Sequence, residues 1–192
     1  MPDVRIAPLP ADDPVAIAYG SAPGREGPVL NIFRTLARNE PLFKAFSRLG
    51  GHLLRRGNVP ARAREIVILR VGWRCGSEYE FGQHTVIGLG TGLNDAEIAR
   101  LATEGTDGWS PDDEALVLLA DELCANDVVG DETWRRLATS WSDAQLLELL
   151  VLAGYYRLVS GMLNSAGVPL EPTTPGWPDG VTARPAPREQ AS

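Results

Sequence analysis

The sequence contains little cysteine. Cys75 and Cys124 are the two cysteines among 192 residues, and no Cys-x-x-Cys pair occurs. Two cysteines cannot build the disulfide framework of a small secreted protein, so we expect a reducing, cytoplasmic location. Neither cysteine has a second one at the spacing of a redox pair, and the sequence therefore predicts two inert thiols.

Positive charge is also scarce. Lysine and arginine number 18 against 25 aspartates and glutamates, which gives a net charge of −7. A nucleic-acid-binding surface needs a basic patch to neutralise phosphates, and an anionic membrane surface attracts the same kind of patch. The charge balance therefore argues against nucleic acid as the main partner and against such a membrane surface.

Long uninterrupted apolar runs are missing as well. The most apolar stretch, residues 146–163, is interrupted by Glu148 and Arg157. Residues 1–14 carry acids and prolines where an export signal has an apolar run. The sequence therefore predicts neither a membrane span nor an export signal.

The chain does contain enough apolar material for one domain. Apolar residues make up 44% of the chain and charged residues 22%, which excludes global disorder and suits a single core. Residues 1–27, rich in proline, glycine and aspartate, predict an extended arm that lies on another surface. Residues 28–170 predict the folded domain, and residues 171–192 predict a proline-rich tail with little structure of its own. Trp177, an aromatic in such a tail, is a candidate for docking on some surface.

Signals for helix starts recur between the arm and the tail, and they predict an all-α fold. Ser110 followed by Pro111 is typical of a helix start. Ser142 with Gln145 fits a capping box, in which each side chain satisfies a free backbone N–H group. The segment that follows, residues 142–166, is apolar on almost all sides and predicts a central buried helix.

The end of this long helix is also marked in the sequence. Gly154 and Gly161 lower its stability and indicate close packing against another helix. Gly167 followed by Pro169 predicts its last turn.

Residues 65–71 are rich in β-branched side chains and are compatible with a strand. We predict a helix instead, because Asn58 and Pro60 offer a start and the apolar pattern continues for about four turns without a turn signal. This interpretation places Glu65 on the helix that comes before the segment with the other candidate catalytic residues, Glu80 and His84.

One short segment carries that chemistry. Gly76 predicts the end of one helix and Ser77 the cap of the next. Glu80 and His84 then lie four residues apart on the same helix face, where a carboxylate can orient an imidazole and raise its pKa. Such a pair is the minimum equipment for proton transfer near neutral pH. If the two helices pack antiparallel, Glu65 comes within reach of His84.

Other interpretations of these residues stay open. Ser77 and Glu80 have the spacing of a capping box. One alternative is therefore that Glu80 caps the helix and has no other role. Glu65, Glu80 and His84 together offer two oxygens and one nitrogen, a weak signal for a metal ion, and we predict no metal. His52 is interpreted as a surface or boundary residue.

Three short motifs follow one another along the chain: EIVILR at residues 65–70, YEFGQH at residues 79–84 and GLNDAEI at residues 92–98. Together with later matches near Asp121 and in the predicted long helix, they resemble the carboxymuconolactone decarboxylase family, within the alkylhydroperoxidase D-like superfamily. The resemblance covers about residues 28–170. It implies an alkylhydroperoxidase D-like helical bundle and a homo-oligomer, commonly a trimer or a hexamer.

The resemblance also bears on single positions. The peroxidase branch of the superfamily carries a glutamate, a Cys-x-x-Cys pair and a histidine, and these fall on Glu65, on Ser77 with Glu80, and on His84. Both thiols are therefore absent, and Cys75 lies two residues too early to replace one. The decarboxylase-like branch retains acid/base groups without the thiol pair, which suits Glu80 and His84.

The sequence with this resemblance predicts a cofactor-independent lyase or isomerase that acts on a small lactone or carboxylate. His84 is the predicted general acid/base. Glu80 is its orienting partner or a second proton carrier, and Glu65 completes the relay from the neighbouring helix.

Substrate binding is predicted from position alone. Tyr79 and Trp73 are expected to line the pocket, and Arg74 to pair with a substrate carboxylate. Two alternative functions stay open: a thiol-dependent antioxidant protein that uses Cys75 with an external thiol, and a helical oligomer without catalysis.

Overall fold

The computed structural model describes residues 3–20 and 28–181, and the regular secondary structure in these ranges is helical. The predicted arm and tail therefore lie partly outside the described residues. The all-α prediction is confirmed. The helices are α1 (Pro14–Gly20), α2 (Asn31–Leu36), α3 (Glu40–Arg55), α4 (Ala61–Arg74), α5 (Glu78–Gly90), α6 (Asp95–Leu101), α7 (Pro111–Asn126), α8 (Asp131–Ser140) and α9 (Asp143–Ala166).

The chain forms two compact units. The first comprises Met1–Gly57 and Met162–Thr174, and it holds α1 to α3 and the last turn of α9. The second comprises Asn58–Gly161 and Pro175–Ser192, and it holds α4 to α8 and the rest of α9. All the candidate site residues lie in the second unit. The predicted division into arm, domain and tail stays a prediction.

The segment predicted as an extended arm contains the short helix α1. The carboxylate of Asp13 accepts hydrogen bonds from two backbone N–H groups of α1, at 2.9 and 3.3 Å, and Pro14 fits the first helical position. A helix this short shows no apolar period, so the pattern over residues 1–27 missed it. Residues 3–9, which belong to the first unit, contact the end of α9. The N–H groups of Arg5 and Ile6 donate to the carbonyl oxygen of Ala166 at 2.9 and 3.0 Å.

The helix α4 forms the core of the second unit. Its residues 65–73 are all buried, so β-branched side chains pack on every side and override their preference for strands. The helix prediction for this segment is confirmed. Arg62 and Arg70 of α4 bind Asp113 and Asp121 of α7, so the two helices run side by side in the same direction.

The helices α4 and α5 form a hairpin. Gly76 between them has a φ of +60°, a left-handed conformation that glycine adopts without strain. A Cβ at Gly72 would lie 3.4 Å from the backbone nitrogen of Phe81, so α4 and α5 are within van der Waals contact at this point. The facing side chains of the two helices are therefore in direct contact.

The long predicted helix is confirmed as α9. Its start has part of the predicted capping box: the N–H of Ser142 donates to Oε1 of Gln145 at 3.1 Å, but the Ser142 hydroxyl donates to the same oxygen rather than accepting from the helix. Its end is Gly167, with a φ of +66°, where a Cβ would clash with the carbonyl oxygen of Asp3. Both the conformation and the contact require glycine.

In the described part of the chain, α9 is the one helix with the length and hydropathy of a membrane span. Two of its charged residues bind other parts of the protein. Glu148 accepts hydrogen bonds from the N–H groups of Asn58 and Val59 at 2.7 and 3.1 Å, and Arg157 donates to the carbonyl oxygen of Leu123 at 2.8 Å. These are the contacts of a core helix, and the predicted lack of a membrane partner stays a prediction.

Candidate active site

Glu65 of α4 and His84 of α5 meet across the hairpin. Oε2 of Glu65 lies 2.6 Å from Nδ1 of His84. Oε1 of the same carboxylate accepts a hydrogen bond from Nε of Arg64 at 2.9 Å. Both oxygens of a fully buried carboxylate are thereby satisfied, which fixes the orientation of the imidazole ring.

Glu80 faces the other nitrogen of the same ring. Its Oε2 lies 3.5 Å from Nε2 of His84, one helical turn away. The distance is long for a hydrogen bond but short for an electrostatic contact. His84 therefore lies between two carboxylates, and the exposed fractions of the Glu65, Glu80 and His84 side chains are 0%, 6% and 7%.

The capping-box interpretation of Glu80 is wrong. The Ser77 side chain makes no hydrogen bond to α5, and its buried hydroxyl has no hydrogen-bond partner within the described ranges. The N–H of Ser77 donates to the carbonyl oxygen of Gly72 at 2.8 Å, so it is not left for Glu80. Within residues 3–20 and 28–181, no three His, Cys, Asp or Glu side chains are grouped to hold a metal ion.

Burial and charge act in opposite directions on Glu65 and His84. Burial raises the pKa of Glu65, but the His84 ring and the Arg64 guanidinium outweigh it and hold that pKa below its usual range. Burial lowers the pKa of His84, but the charge and hydrogen bond of Glu65, with the charge of Glu80, raise it above its usual range. Both shifts favour the charged forms, a carboxylate and an imidazolium.

Glu80 has the opposite balance. Burial raises the pKa of Glu80 to about 7; the charge of His84 lowers it, and the charge of Glu65 raises it further. A carboxyl group with this pKa is present in both protonation states near neutral pH, so it can give and take a proton under the same conditions.

Two tyrosines of α9 lie beside the ring of His84. The Tyr156 ring stands edge-on to His84 at 5.0 Å between centroids, and Tyr155 packs edge-on to Tyr156 at 5.5 Å. Burial and the charge of Glu80 raise the pKa of both phenols, so they remain protonated near neutral pH. Sequence reasoning missed these neighbours of the site; the signal for them was their place in a motif of the family resemblance.

The residues predicted to bind substrate form a different set of contacts. The Arg74 guanidinium binds the carboxylate of Asp121 at 2.5 and 2.6 Å and that of Glu104 at 2.8 Å. It also lies 4.8 Å from the centre of the Trp73 ring, and both Trp73 and Tyr79 are buried. Pairing of Arg74 with a substrate carboxylate would therefore compete with Asp121, and the substrate-binding roles of these residues stay predictions.

The family model for the carboxymuconolactone decarboxylase family matches residues 40–121. Over these residues the chain is similar to the carboxymuconolactone decarboxylase family. The matched range includes Glu65, Glu80 and His84, and the predicted resemblance is thus confirmed. A search of curated protein sequences gave no match.

Solved structures show the same fold. An uncharacterized peroxidase-related protein from Silicibacter sp. TM1040 superposes with a TM-score of 0.77 at 13% identity, over 89% of this chain and 94% of that one. The alkylhydroperoxidase AhpD core of an uncharacterized peroxidase-related protein from Ralstonia eutropha JMP134 gives 0.75 at 18% identity, over 87% and 93%. The debrominase Bmp8 with 2,3,4-tribromopyrrole gives 0.67 at 15% identity, over 87% and 91%. At these identities the likeness shows an AhpD-like helical fold.

Proposed function

We propose that this protein is a lyase or isomerase that moves a proton on a small lactone or carboxylate. The observation that carries the proposal is Glu80, a buried carboxyl group with a pKa of about 7 beside the imidazolium of a buried Glu65–His84 pair. A buried carboxylate without a close hydrogen-bond donor costs stability. Such strongly perturbed groups cluster at catalytic sites.

In the proposed reaction the two nitrogens of the imidazole have different roles. Glu65 holds the ring and its positive charge through Nδ1, and Nε2–H points towards Glu80 and the adjoining substrate. When the substrate loses carbon dioxide, or loses a proton to ionised Glu80, the electron pair stays on the substrate as an enolate. The His84 imidazolium stabilises the enolate oxygen. Protonated Glu80 then delivers its proton to the carbon at the far end of the shifted double bond.

This assignment chooses between the two roles that the sequence left open for Glu80. Glu65 makes the short hydrogen bond to Nδ1 of His84, so it is better placed to orient the ring. Glu80 lies at Nε2 with the pKa of a proton carrier. The geometry thus supports Glu80 as the acid/base group and His84 as the charged partner.

The test is to incubate the protein with a panel of small lactone acids in D₂O and to follow decarboxylation and deuterium incorporation by NMR. Glu80→Gln and His84→Gln are each expected to lower kcat by about 10²–10⁴-fold, the usual contribution of a positioned acid/base group. Glu132→Gln and His52→Gln, which change exposed residues, serve as matched controls. Unchanged rates in the first two variants would contradict the assignment.

We further propose that the homo-oligomer uses an exposed stripe on α9. The stripe consists of five uncharged residues that repeat at helical spacing: Leu147, Val151, Gly154, Leu158 and Gly161. The exposed fractions of Leu147 and Leu158 are 64% and 58%, and a Cβ at either glycine would meet nothing within 4 Å. An apolar stripe with glycines allows the same helix of a second copy to approach closely, and the absence of charge makes it self-complementary.

Leu158→Lys is expected to convert the oligomer into a monomer of 20.7 kDa, because it would bury a charge between two apolar stripes. Light scattering at micromolar concentration measures the mass. Val128→Lys, which adds the same charge at another exposed apolar position, is expected to leave the assembly intact. A wild-type monomer, or a Leu158→Lys protein of unchanged mass, is the result that would reject this interface.

A further inference from the structure

The two cysteines, which sequence spacing predicted to be inert, lie together in the structure. Cys75 is the C-cap of α4, and Cys124 lies in the last turn of α7. Their side chains are close enough to interact electrostatically. The residues are far apart in sequence, and the parallel packing of α4 and α7 brings them into contact.

The ion pairs next to the cysteines hold the two helices in this register. Arg74, adjacent to Cys75, forms a two-pronged pair with Asp121, which precedes Cys124 by about one turn. Arg70 binds the same carboxylate at 2.6 and 2.7 Å. Forked guanidinium–carboxylate pairs fix both distance and orientation, so the helix ends that carry the two cysteines are held side by side.

Small molecules have access to the pair. Both cysteine side chains are partly exposed. A cavity of about 210 Å³ adjoins Cys124 and is lined by Arg74, Asp121, Glu122, Cys124, Ala125 and Asn126. This space is larger than a peroxide or a small thiol needs, so the chemistry of the sulfurs is not blocked by packing.

The surroundings distinguish the two sulfurs. The side chain of Cys75, and then burial, raise the pKa of Cys124 well above its usual range, although the Arg157 guanidinium acts in the opposite direction. Cys124 therefore stays a thiol near neutral pH. Because the thiolate is the attacking form, Cys124 is the poorer first nucleophile, and we assign the first attack to Cys75.

We propose that Cys75 and Cys124 are an oxidisable dithiol, which a hydroperoxide closes to a disulfide between α4 and α7. The sulfur of Cys75 attacks one peroxide oxygen, the O–O bond breaks, and Cys75 becomes a sulfenic acid while one water leaves. The sulfur of Cys124 then attacks Cys75, the S–S bond forms, the S–O bond breaks, and the hydroxide leaves with the Cys124 proton as a second water. Overall, two thiols and one hydrogen peroxide give one disulfide and two waters, and an external dithiol reverses the step.

This site is separate from the acid/base site. It uses neither Glu65, Glu80 nor His84, so it does not depend on the proposed function. It also differs from the thiol pair of the peroxidase branch, whose positions fall on Ser77 and Glu80 and carry no sulfur. The disulfide would join the C-terminal ends of two core helices, and we expect the oxidised protein to melt at a higher temperature than the reduced one.

The experiment uses the full-length, fully reduced protein. It is treated with an equimolar amount of hydrogen peroxide, alkylated with iodoacetamide, and analysed by intact mass and by non-reducing peptide mapping. The expected result is a single polypeptide chain that has lost two hydrogens, resists alkylation, and contains a peptide that links Cys75 to Cys124. Dithiothreitol is expected to restore both alkylation sites.

Variants with a single cysteine replaced test which sulfur reacts with the peroxide first. In Cys124→Ser, Cys75 is expected to accumulate as a sulfenic acid that dimedone traps, whereas in Cys75→Ser, Cys124 is expected to react at least tenfold more slowly. Two thiols that stay alkylatable after peroxide, a disulfide between two molecules, or separate overoxidation of each sulfur would overturn the proposal. Because these outcomes are read on the wild-type chain, a variant that fails to fold does not obscure them.

Discussion

Replacing Arg70 by methionine is expected to destabilise the protein by about 3 kcal/mol or more, because it breaks a buried ion pair from one side. The Arg70 side chain is fully buried, and it binds both oxygens of Asp121 at 2.6 and 2.7 Å. It also donates to the carbonyl oxygens of Leu101 and Thr103 at 3.1 and 2.5 Å. Methionine fills the volume, but it leaves Asp121 with Arg74 alone and removes this donor from the two carbonyl oxygens; each unsatisfied buried group costs free energy.

Denaturant unfolding at neutral pH measures this loss. Arg135→Met removes the same charge from an exposed position of α8 and is expected to change the free energy of unfolding by less than about 0.5 kcal/mol. The free energy of unfolding of Arg70→Lys is expected to lie between those of Arg70→Met and Arg135→Met, because an ammonium keeps the charge but cannot form the two-pronged pair. An Arg70→Met protein as stable as the control would show that Arg74 alone satisfies Asp121.

Local signals explain which parts of the fold were predictable. Ser110 and Pro111 mark the start of α7 in the sequence, and the Ser110 hydroxyl accepts the N–H of Asp113 at 3.2 Å as a cap should. Trp177 is the one large aromatic of the predicted tail, and it packs on Phe81 at 5.0 Å between ring centroids. The helix α1 was not predictable from its period, because it depends on the cap at Asp13 over too few residues.

The candidate site was predictable only in part. Glu80 and His84 share a helix face at any packing, because their spacing alone places them one turn apart. Their division of labour with Glu65 depends on which ring nitrogen faces which carboxylate, and that is set by the close approach of α4 and α5. The capping-box interpretation failed for a similar reason, since the N–H of Ser77 binds the carbonyl oxygen of Gly72 across the hairpin turn.

Contacts between α4 and α7 were beyond the reach of sequence spacing. Cys75 with Cys124, and Arg70 with Asp121, pair across elements that are separated by α5 and α6. A single sequence carries the residue types but not the register of two packed helices. The missing Cys-x-x-Cys motif therefore argued against one kind of thiol pair and carried no information about a pair formed between two helices.

Replacing Glu80 by glutamine is expected to make the protein more stable at about pH 8, by about 3 kcal/mol. Burial raises the pKa of Glu80 from 4.5 to about 7, so the folded state binds this proton more tightly than the unfolded state does. The stabilisation from this group is fully present below about pH 4.5 and is lost as the pH rises through about 7. Glutamine keeps the shape of the protonated acid and cannot ionise, so the variant escapes that loss.

Replacing Glu65 by glutamine is expected to lower the stability of the protein, in contrast to Glu80→Gln. The pKa of Glu65 is lowered from 4.5 and that of His84 is raised from 6.5. Between pH 4.5 and pH 6.5 both groups are therefore charged, and the pair stabilises the folded state. Stability from Glu65 is lost as the pH falls below 4.5, and stability from His84 is lost as the pH rises through its raised value. Removing the Glu65 charge leaves a buried imidazolium with less compensation, so this variant is expected to be less stable than wild type near pH 6, with a lowered pKa of His84.

Denaturant unfolding of the wild type, Glu80→Gln and Glu65→Gln at about pH 5 and about pH 8 separates these effects, and NMR titration of His84 checks that the ring is still held. The expected pattern is a Glu80→Gln advantage that grows from the lower to the higher pH, together with a lowered pKa of His84 because one neighbouring charge is gone. A residue whose neutralisation stabilises the fold and abolishes turnover is one that is kept for chemistry at a cost in stability. A Glu80→Gln protein less stable than wild type at both pH values would instead make Glu80 a structural group, and the proposed reaction would lose its proton carrier.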